Sequence, residues 1–145
     1  MKNIPEILLG FDFGMKRIGV AVGQTVTRSA TPLGVIAANQ GVPQLDKIAK
    51  LIKTWQPQAL VVGIPLNMDG TEQPLTAAAK HFAQLLEKEF AIPVFEMDER
   101  LTSVEAKARA FDAGGYKALQ KTQIDSIAAQ LILQNWLAQQ SADET

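Results

Sequence analysis

Asp12 stands inside Leu8–Gly14 (LLGFDFG), a run that is otherwise apolar. A carboxylate buried there without compensation would cost roughly several kcal/mol, so a cation or a set of backbone N–H groups in the turn at Gly14 has to satisfy it. Asp98 and Glu99 stand together at the end of a second strand-like run. Asp125 follows Thr122 by three residues, in the predicted first turn of the last helix. An acid at a helix start is common because it complements the macrodipole, so Asp125 taken alone reads more readily as a helix-start acid than as a ligand. Carboxylates far apart in sequence, each at the end of an element, are the oxygen donors a hard divalent cation requires, and Mg²⁺ or Mn²⁺ is the expected metal. Two such ions about 4 Å apart can activate a water, hold a scissile phosphate and stabilise the leaving oxygen in an in-line hydrolysis. Asp12, Asp98, Glu99 and Asp125 are therefore the candidate metal ligands.

Other chemistries find little support. Cysteine is absent, which excludes thiolate catalysis, a Cys-ligated metal and a disulfide framework. The single histidine, His81, falls on an amphipathic helix as a surface or boundary residue, so a Ser-His-Asp triad is disfavoured. Gly14–Gly19 has the spacing of a phosphate loop, but Val20-Ala21 replaces the Lys-Ser/Thr that such a loop needs, and no GxGxxG occurs. Lys16 and Arg17 near Asp12, and Arg100 beside Glu99, can either contact phosphates flanking a metal site or form ion pairs with the neighbouring acids. Aromatic residues are sparse, and Trp55 and Trp136 fall on core stripes, so a stacking platform for single-stranded bases is not expected.

The net charge of −1 argues weakly against a nucleic-acid partner, but its distribution is uneven. Residues 1–40 carry +2 and residues 100–121 carry +3, whereas 41–99 and 122–145 each carry −3, so positive charge collects near two of the acidic candidates. Ordinary solvated faces would give a similar pattern. The first residues lack a signal-peptide pattern and no run approaches the roughly 20 apolar residues of a membrane span, so a cytoplasmic protein without membrane contact is expected.

The elements must then hold these residues together. Ile7–Phe13 and Arg17–Gly23 read as antiparallel strands joined by a short hairpin loop, and Pro32–Ala38 as a third strand after the polar link Gln24–Thr31. Leu45, Ile48, Ala49, Ile52 and Trp55 make a helical stripe that Pro57 stops. Ala59–Ile64 is apolar at every residue, as a strand covered on both faces would be. A turn-rich loop, Pro65–Gln73, leads to a helix over Pro74–Phe90, and Ile92–Met97 is a fifth strand. Thr102–Glu105 reads as a capping box opening a helix that stops near Gly114-Gly115. After the polar stretch Tyr116–Thr122, a last helix packs through Ile124, Ile127, Ala128, Leu131 and Trp136. The order βββαβαβαα predicts an α/β fold, with helices on the faces of a mixed five-stranded sheet whose first three strands are antiparallel. The chain length suits one domain spanning residues 1–145. The opening hairpin favours a ribonuclease H-like over a Rossmann-like arrangement, which would place a helix after its first strand.

Asp12-Phe13-Gly14 with Lys16–Ala21 (KRIGVA), Gly63-Ile64-Pro65 with Asp69-Gly70, Asp98–Ser103 (DERLTS) and Asp125–Ala129 (DSIAA) together closely resemble the bacterial YqgF family, in order and over nearly the whole chain. The resemblance implies a compact relative of the Holliday junction resolvase RuvC with the ribonuclease H-like fold. It further implies a metal-dependent nuclease that processes the 5′ end of precursor 16S ribosomal RNA, with resolution of branched DNA as the alternative. By the same resemblance Asp12, Glu99 and Asp125 are the catalytic carboxylates, Glu99 being favoured over Asp98 as middle ligand. Lys16, Arg17, Arg100, Lys117 and Lys121 would contact the substrate backbone. Tyr116–Gln123 has only two lysines, fewer basic residues than many relatives carry there. The partners so implied are precursor ribosomal RNA or branched DNA and pre-ribosomal particles, with the protein a monomer or weak homodimer. Two further classes stay open at this point: a non-catalytic ribosome-assembly module, and an actin-like ATPase domain, which the short chain disfavours.

Overall fold

The computed structural model describes residues 6–98 and 121–143. A six-stranded sheet forms the centre of the molecule, in the order β4-β3-β2-β1-β5-β6. Its strands are β1 (Ile7–Asp12), β2 (Arg17–Gln24), β3 (Ser29–Asn39), β4 (Val42–Pro43), β5 (Ala59–Ile64) and β6 (Val94–Asp98). β2 runs antiparallel to both β1 and β3 as expected, and β5 and β6 are parallel to β1. Three helices are described: α1 (Leu45–Trp55), α2 (Pro74–Phe90) and α3 (Lys121–Asp143). The expected helix opening at Thr102–Glu105 and ending near Gly114-Gly115 lies outside the described residues.

The strand count corrects the expected five. Gln40 and Gly41 both take positive φ (51° and 84°), the backbone of a tight two-residue hairpin, and fold Val42–Pro43 back on Ala38 and Asn39 as the short β4. β3 also starts earlier than Pro32. Ser29, Ala30 and Thr31 pair with Gln24, Gly23 and Val22. Their polar side chains resemble a loop in sequence but alternate outward while Ala30 is buried, and Pro32 is tolerated next to a register shift at Val20/Ala21. β6 begins at Val94 rather than Ile92, because Pro93 has no N–H to give a ladder; its carbonyl accepts from Leu60 N–H at 2.9 Å.

The helix α1 and the strand β5 lie where the sequence pattern puts them. Gln56 closes α1 in the left-handed region (φ 49°), its N–H donating to Ile52 O at 2.8 Å, and Pro57 follows. At the start of α2, buried Thr76 accepts from Gln73 N–H at 2.9 Å and its hydroxyl donates to Pro65 O, tying the loop after β5 to the helix. Every residue of β5 is buried, in keeping with a strand covered on both faces.

Pleat alternation splits the core in two. Leu9, Phe11, Ile18, Val20, Val22, Leu60, Val62 and Ile64 pack with Ile48 of α1 and Ala79, Phe82, Ala83 and Leu86 of α2. Leu8, Ala21, Ala59, Val61 and Met97 face the other way, against Ala129, Ile132, Leu133, Trp136 and Leu137 of α3. The buried face of α3 is thus broader than the expected stripe. Trp136, expected on it, joins this sheet-facing cluster, while Ala128 and Leu131 with Ile127 form a separate one.

Candidate metal and nucleic-acid site

Asp12 is the last residue of β1 and half-buried, paired with Gly19 of β2 on one side and Gly63 of β5 on the other. Its side chain shares the sheet face of Leu8 and Gly10, the face covered by α3. Along β2 the same face carries Arg17, Gly19 and Ala21.

Gly19 decides how close α3 comes. A methyl group at this position would lie 2.1 Å from Asp125 O and 2.5 Å from its carbonyl carbon, a backbone collision that no rotamer change can relieve. Only glycine lets the α3 backbone descend there, and opposed residues of an antiparallel pair are about 4.5–5.5 Å apart at Cα. Asp125 is therefore lowered onto the residue directly across from Asp12. Gly10 repeats the device farther along the helix, its absent Cβ falling 3.1 Å from Leu133 Cβ and 3.3 Å from Ala129 O.

Ser126 fastens the same turn of α3. Its buried hydroxyl accepts from Gly34 N–H at 3.1 Å and donates to Val20 O at 3.4 Å, at the place where the β2–β3 register shifts. A side chain of the helix thus satisfies backbone groups at the bulge. Neither Gly19 nor Ser126 is among the residues the sequence singled out for chemistry. A glycine inside the strand RIGVAVG was the available signal, since such a residue marks a bulge or a close backbone approach.

Asp125 sits beyond the first turn of α3, which is described from Lys121, so the expected first-turn placement is corrected, and Lys121 and Thr122 belong to the helix rather than to the polar stretch. The macrodipole effect fades within the first turn, which weakens the helix-start explanation of this acid. Its carboxylate Oδ2 instead accepts from Arg17 Nε at 3.2 Å. Of the two roles open to Arg17, the ion pair is the one present. Arg17 is itself fixed by the β1–β2 loop, where a Cβ on Gly14 would meet Arg17 O at 2.5 Å. Lys16 lies in that loop with an exposed side chain, its carbonyl accepting from Ala38 N–H at 2.8 Å.

Asp98 ends β6 on the opposite face. Met97, on the α3 side, is the β6 partner of Gly63, while Asp98 pairs with Ile64, whose side chain belongs to the α1/α2 core. Asp98 is exposed and does not share a face with Asp12 and Asp125. Glu99, Arg100 and Lys117 lie outside the described residues, and Lys121 is placed as the first residue of α3. The site therefore brings together Asp12, Asp125 and Arg17, with Lys16 on the adjoining loop. Among the described residues no group of three His, Cys, Asp or Glu side chains converges on one point. His81 is exposed on α2. No helix among the described residues is long and apolar enough to cross a membrane.

Comparison with known proteins adds a family and a fold. A family model described as RuvX, Holliday junction resolvase, matches residues 6–139. A protein of Shewanella oneidensis is 54% identical over 138 residues, covering 95% of this chain and 98% of its own length. One of Actinobacillus pleuropneumoniae serotype 7 is 56% identical over 133 residues, covering 92% and 97%. Both carry the name "Putative pre-16S rRNA nuclease". Among solved structures, Thermus thermophilus RuvC in complex with a Holliday junction matches with a TM-score of 0.56 at 16% identity, over 94% of this chain and 96% of that one. Fowlpox virus resolvase with junction DNA matches with a TM-score of 0.58 at 10% identity, over 92% and 98%. At these identities the likeness concerns the fold, which is the ribonuclease H-like fold of the resolvases.

Proposed function

The chain belongs to the RuvX (YqgF) family, and on that premise we propose that it is a metal-dependent nuclease that hydrolyses phosphodiester bonds in precursor 16S ribosomal RNA, at the 5′ end of the mature sequence. The observation that carries the reading is the descent of Asp125 onto Gly19, the cross-strand partner of Asp12, which gathers two carboxylates more than 100 positions apart on one sheet face. Relatives at 54–56% identity over almost their whole length support RNA as the substrate. The family description supports branched DNA as the second substrate to test.

The donor set fits a hard divalent cation: Asp12 and Asp125 offer oxygen only, the chain has no cysteine, and its single histidine, His81, is exposed on α2. They would hold Mg²⁺ or Mn²⁺, in one- or two-ion form. Bound there, such ions supply Lewis-acid stabilisation of charge on phosphate oxygens and a nucleophilic water at neutral pH. Asp98 faces away from Asp12, so of the two neighbouring acids this reading keeps Glu99 as the third carboxylate. The chain's own groups then divide the remaining work. β1 and α3 fix the carboxylate positions, and Lys16 brings positive charge to the rim where a phosphate backbone would approach. Arg100, Lys117 and Lys121 extend that contact in this reading, in which the protein works as a monomer or weak homodimer and meets its substrate in pre-ribosomal particles in the cytoplasm.

The test is incubation of the protein with precursor 16S RNA and with a four-way DNA junction, each with Mg²⁺, Mn²⁺ or chelator, alongside Asp12→Asn. Metal-dependent cutting of the RNA is expected, with Asp12→Asn slower by about 10²–10³-fold, on the scale of losing a principal charge-stabilising group. Cleavage by Asp12→Asn at the wild-type rate would sink the reading. Cutting of the junction alone would shift the substrate to DNA, and RNA binding without any cutting would make the protein an assembly module.

A further inference from the structure

Arg17 and Asp125 meet through one contact, Nε to Oδ2 at 3.2 Å, with 37% and 31% of the two side chains exposed. The guanidinium can donate five N–H bonds in a fork, and a paired fork is the strong form of this interaction. Here a single N–H, that of Nε, makes the contact: among the described residues neither the terminal nitrogens of Arg17 nor Oδ1 of Asp125 has another partner. The backbone at both ends is nevertheless held firmly. Arg17 is pinned by the close approach of Gly14 to its carbonyl and by its pairing with Ala37, and Asp125 by the Gly19 contact and the Ser126 hydroxyl. The pair is thus a weak, half-made contact between two rigidly placed positions, which is unlike a surface ion pair between two mobile chains.

Its place gives it a meaning. The guanidinium is a cation resting on a carboxylate of the same sheet face as Asp12, where a divalent ion would have to bind. Two cations cannot share that oxygen without strong repulsion. Arg17 is long and more than a third exposed, so it can leave by side-chain rotation alone.

We propose that Arg17 is an exchangeable internal cation: it holds Asp125 through Nε in the ion-free protein and releases that carboxylate when a divalent cation binds, presenting its guanidinium to the phosphate backbone. The proposal rests on the reading of Asp12 and Asp125 as metal ligands. It accounts for both roles the sequence allows this arginine, as two positions of one side chain.

The experiment follows the Nε–Hε resonance of Arg17 by proton–nitrogen NMR of the full chain during a Mg²⁺ titration, assigned with Arg17→Lys. Mn²⁺ affinity is measured in parallel by electron paramagnetic resonance for wild type, Arg17→Gln and Asp125→Asn. The resonance is expected to move, at saturating Mg²⁺, toward its position in metal-free Asp125→Asn. Arg17→Gln, with no resident cation to displace, should bind Mn²⁺ roughly fivefold tighter or more. An Arg17 resonance that stays in place at saturating Mg²⁺, or unchanged or weaker Mn²⁺ binding by Arg17→Gln, overturns the exchange. Wild-type Mn²⁺ affinity in Asp125→Asn would instead remove Asp125 from the ligand set, a failure of the underlying reading that the other measurements distinguish. Should Arg17→Gln fail to fold, the wild-type resonance decides alone.

Discussion

The two faces of the central sheet are made by the same strands and do different work. Toward α1 and α2 the strands present Leu9, Phe11, Ile18, Val20 and Val22, large side chains that interlock with Phe82 and its neighbours. Phe82 meets Phe11 edge-on at 5.7 Å and Phe13 at 5.1 Å. Toward α3 the alternate residues of β1 and β2 are Leu8, Gly10, Asp12, Arg17, Gly19, Ala21 and Gly23. Small residues there trade packing volume for proximity, and a helix backbone in contact with a strand can deliver a carboxylate that a thicker interface would hold several ångströms away. One face secures the fold and the other brings the charged groups together.

Substitutions that separate these tasks should differ in kind as well as size. Phe11→Ala removes an aromatic ring that is fully buried between the sheet and α2, and a loss of about 3–5 kcal/mol in unfolding free energy is expected from urea denaturation. Metal affinity per folded molecule should be unchanged, since Phe11 faces away from Asp12; a weakened metal site in the folded fraction would contradict the division of labour. Gly19→Ala is expected to cost about 1–3 kcal/mol by overpacking and, in contrast, to weaken Mn²⁺ binding in the molecules that remain folded, because the methyl lifts Asp125 away from Asp12. Retained stability and metal affinity together would show that the close approach is not needed.

Ser126→Ala leaves Gly34 N–H and Val20 O without their side-chain partner, and a smaller destabilisation of about 1–2 kcal/mol is expected, with amide exchange accelerated at Gly34. Equal exchange rates in the two proteins would mean that water replaces the hydroxyl at no cost. Lys16→Gln should have the least effect on the fold, its side chain being exposed. Its expected signature lies in RNA binding, where the slope of log affinity against log salt should fall by about one unit. An unchanged slope would place Lys16 outside the phosphate contacts.

Much of this arrangement is legible in the chain itself. β5 and the helices α1 and α2 follow from periodicity and from Pro57, because a continuous apolar run or a clean helical stripe leaves few alternatives. Short or partly polar pieces do not carry that signal. β4 exists because Gln40 and Gly41 both take positive φ, and Ser29–Thr31 joins β3 because pairing with β2 outweighs its polar look. Asp12 is conspicuous in sequence as a charge in an apolar run. Asp125 is not, since a short polar helix start looks the same whether or not it meets a strand.

What the sequence determines alone, then, is the order of the longer strands and helices among the described residues, the oxygen-only character of the candidate ligands and, through its motifs, the family. Those properties are local or compositional. Tertiary structure decides the rest: that Asp98 faces away from Asp12, that Gly19 admits the backbone of Asp125, and that Arg17 is already engaged with that carboxylate. Each of these depends on strand register and on the distance between a helix and a sheet. Both are fixed only when residues far apart in the chain pack against each other.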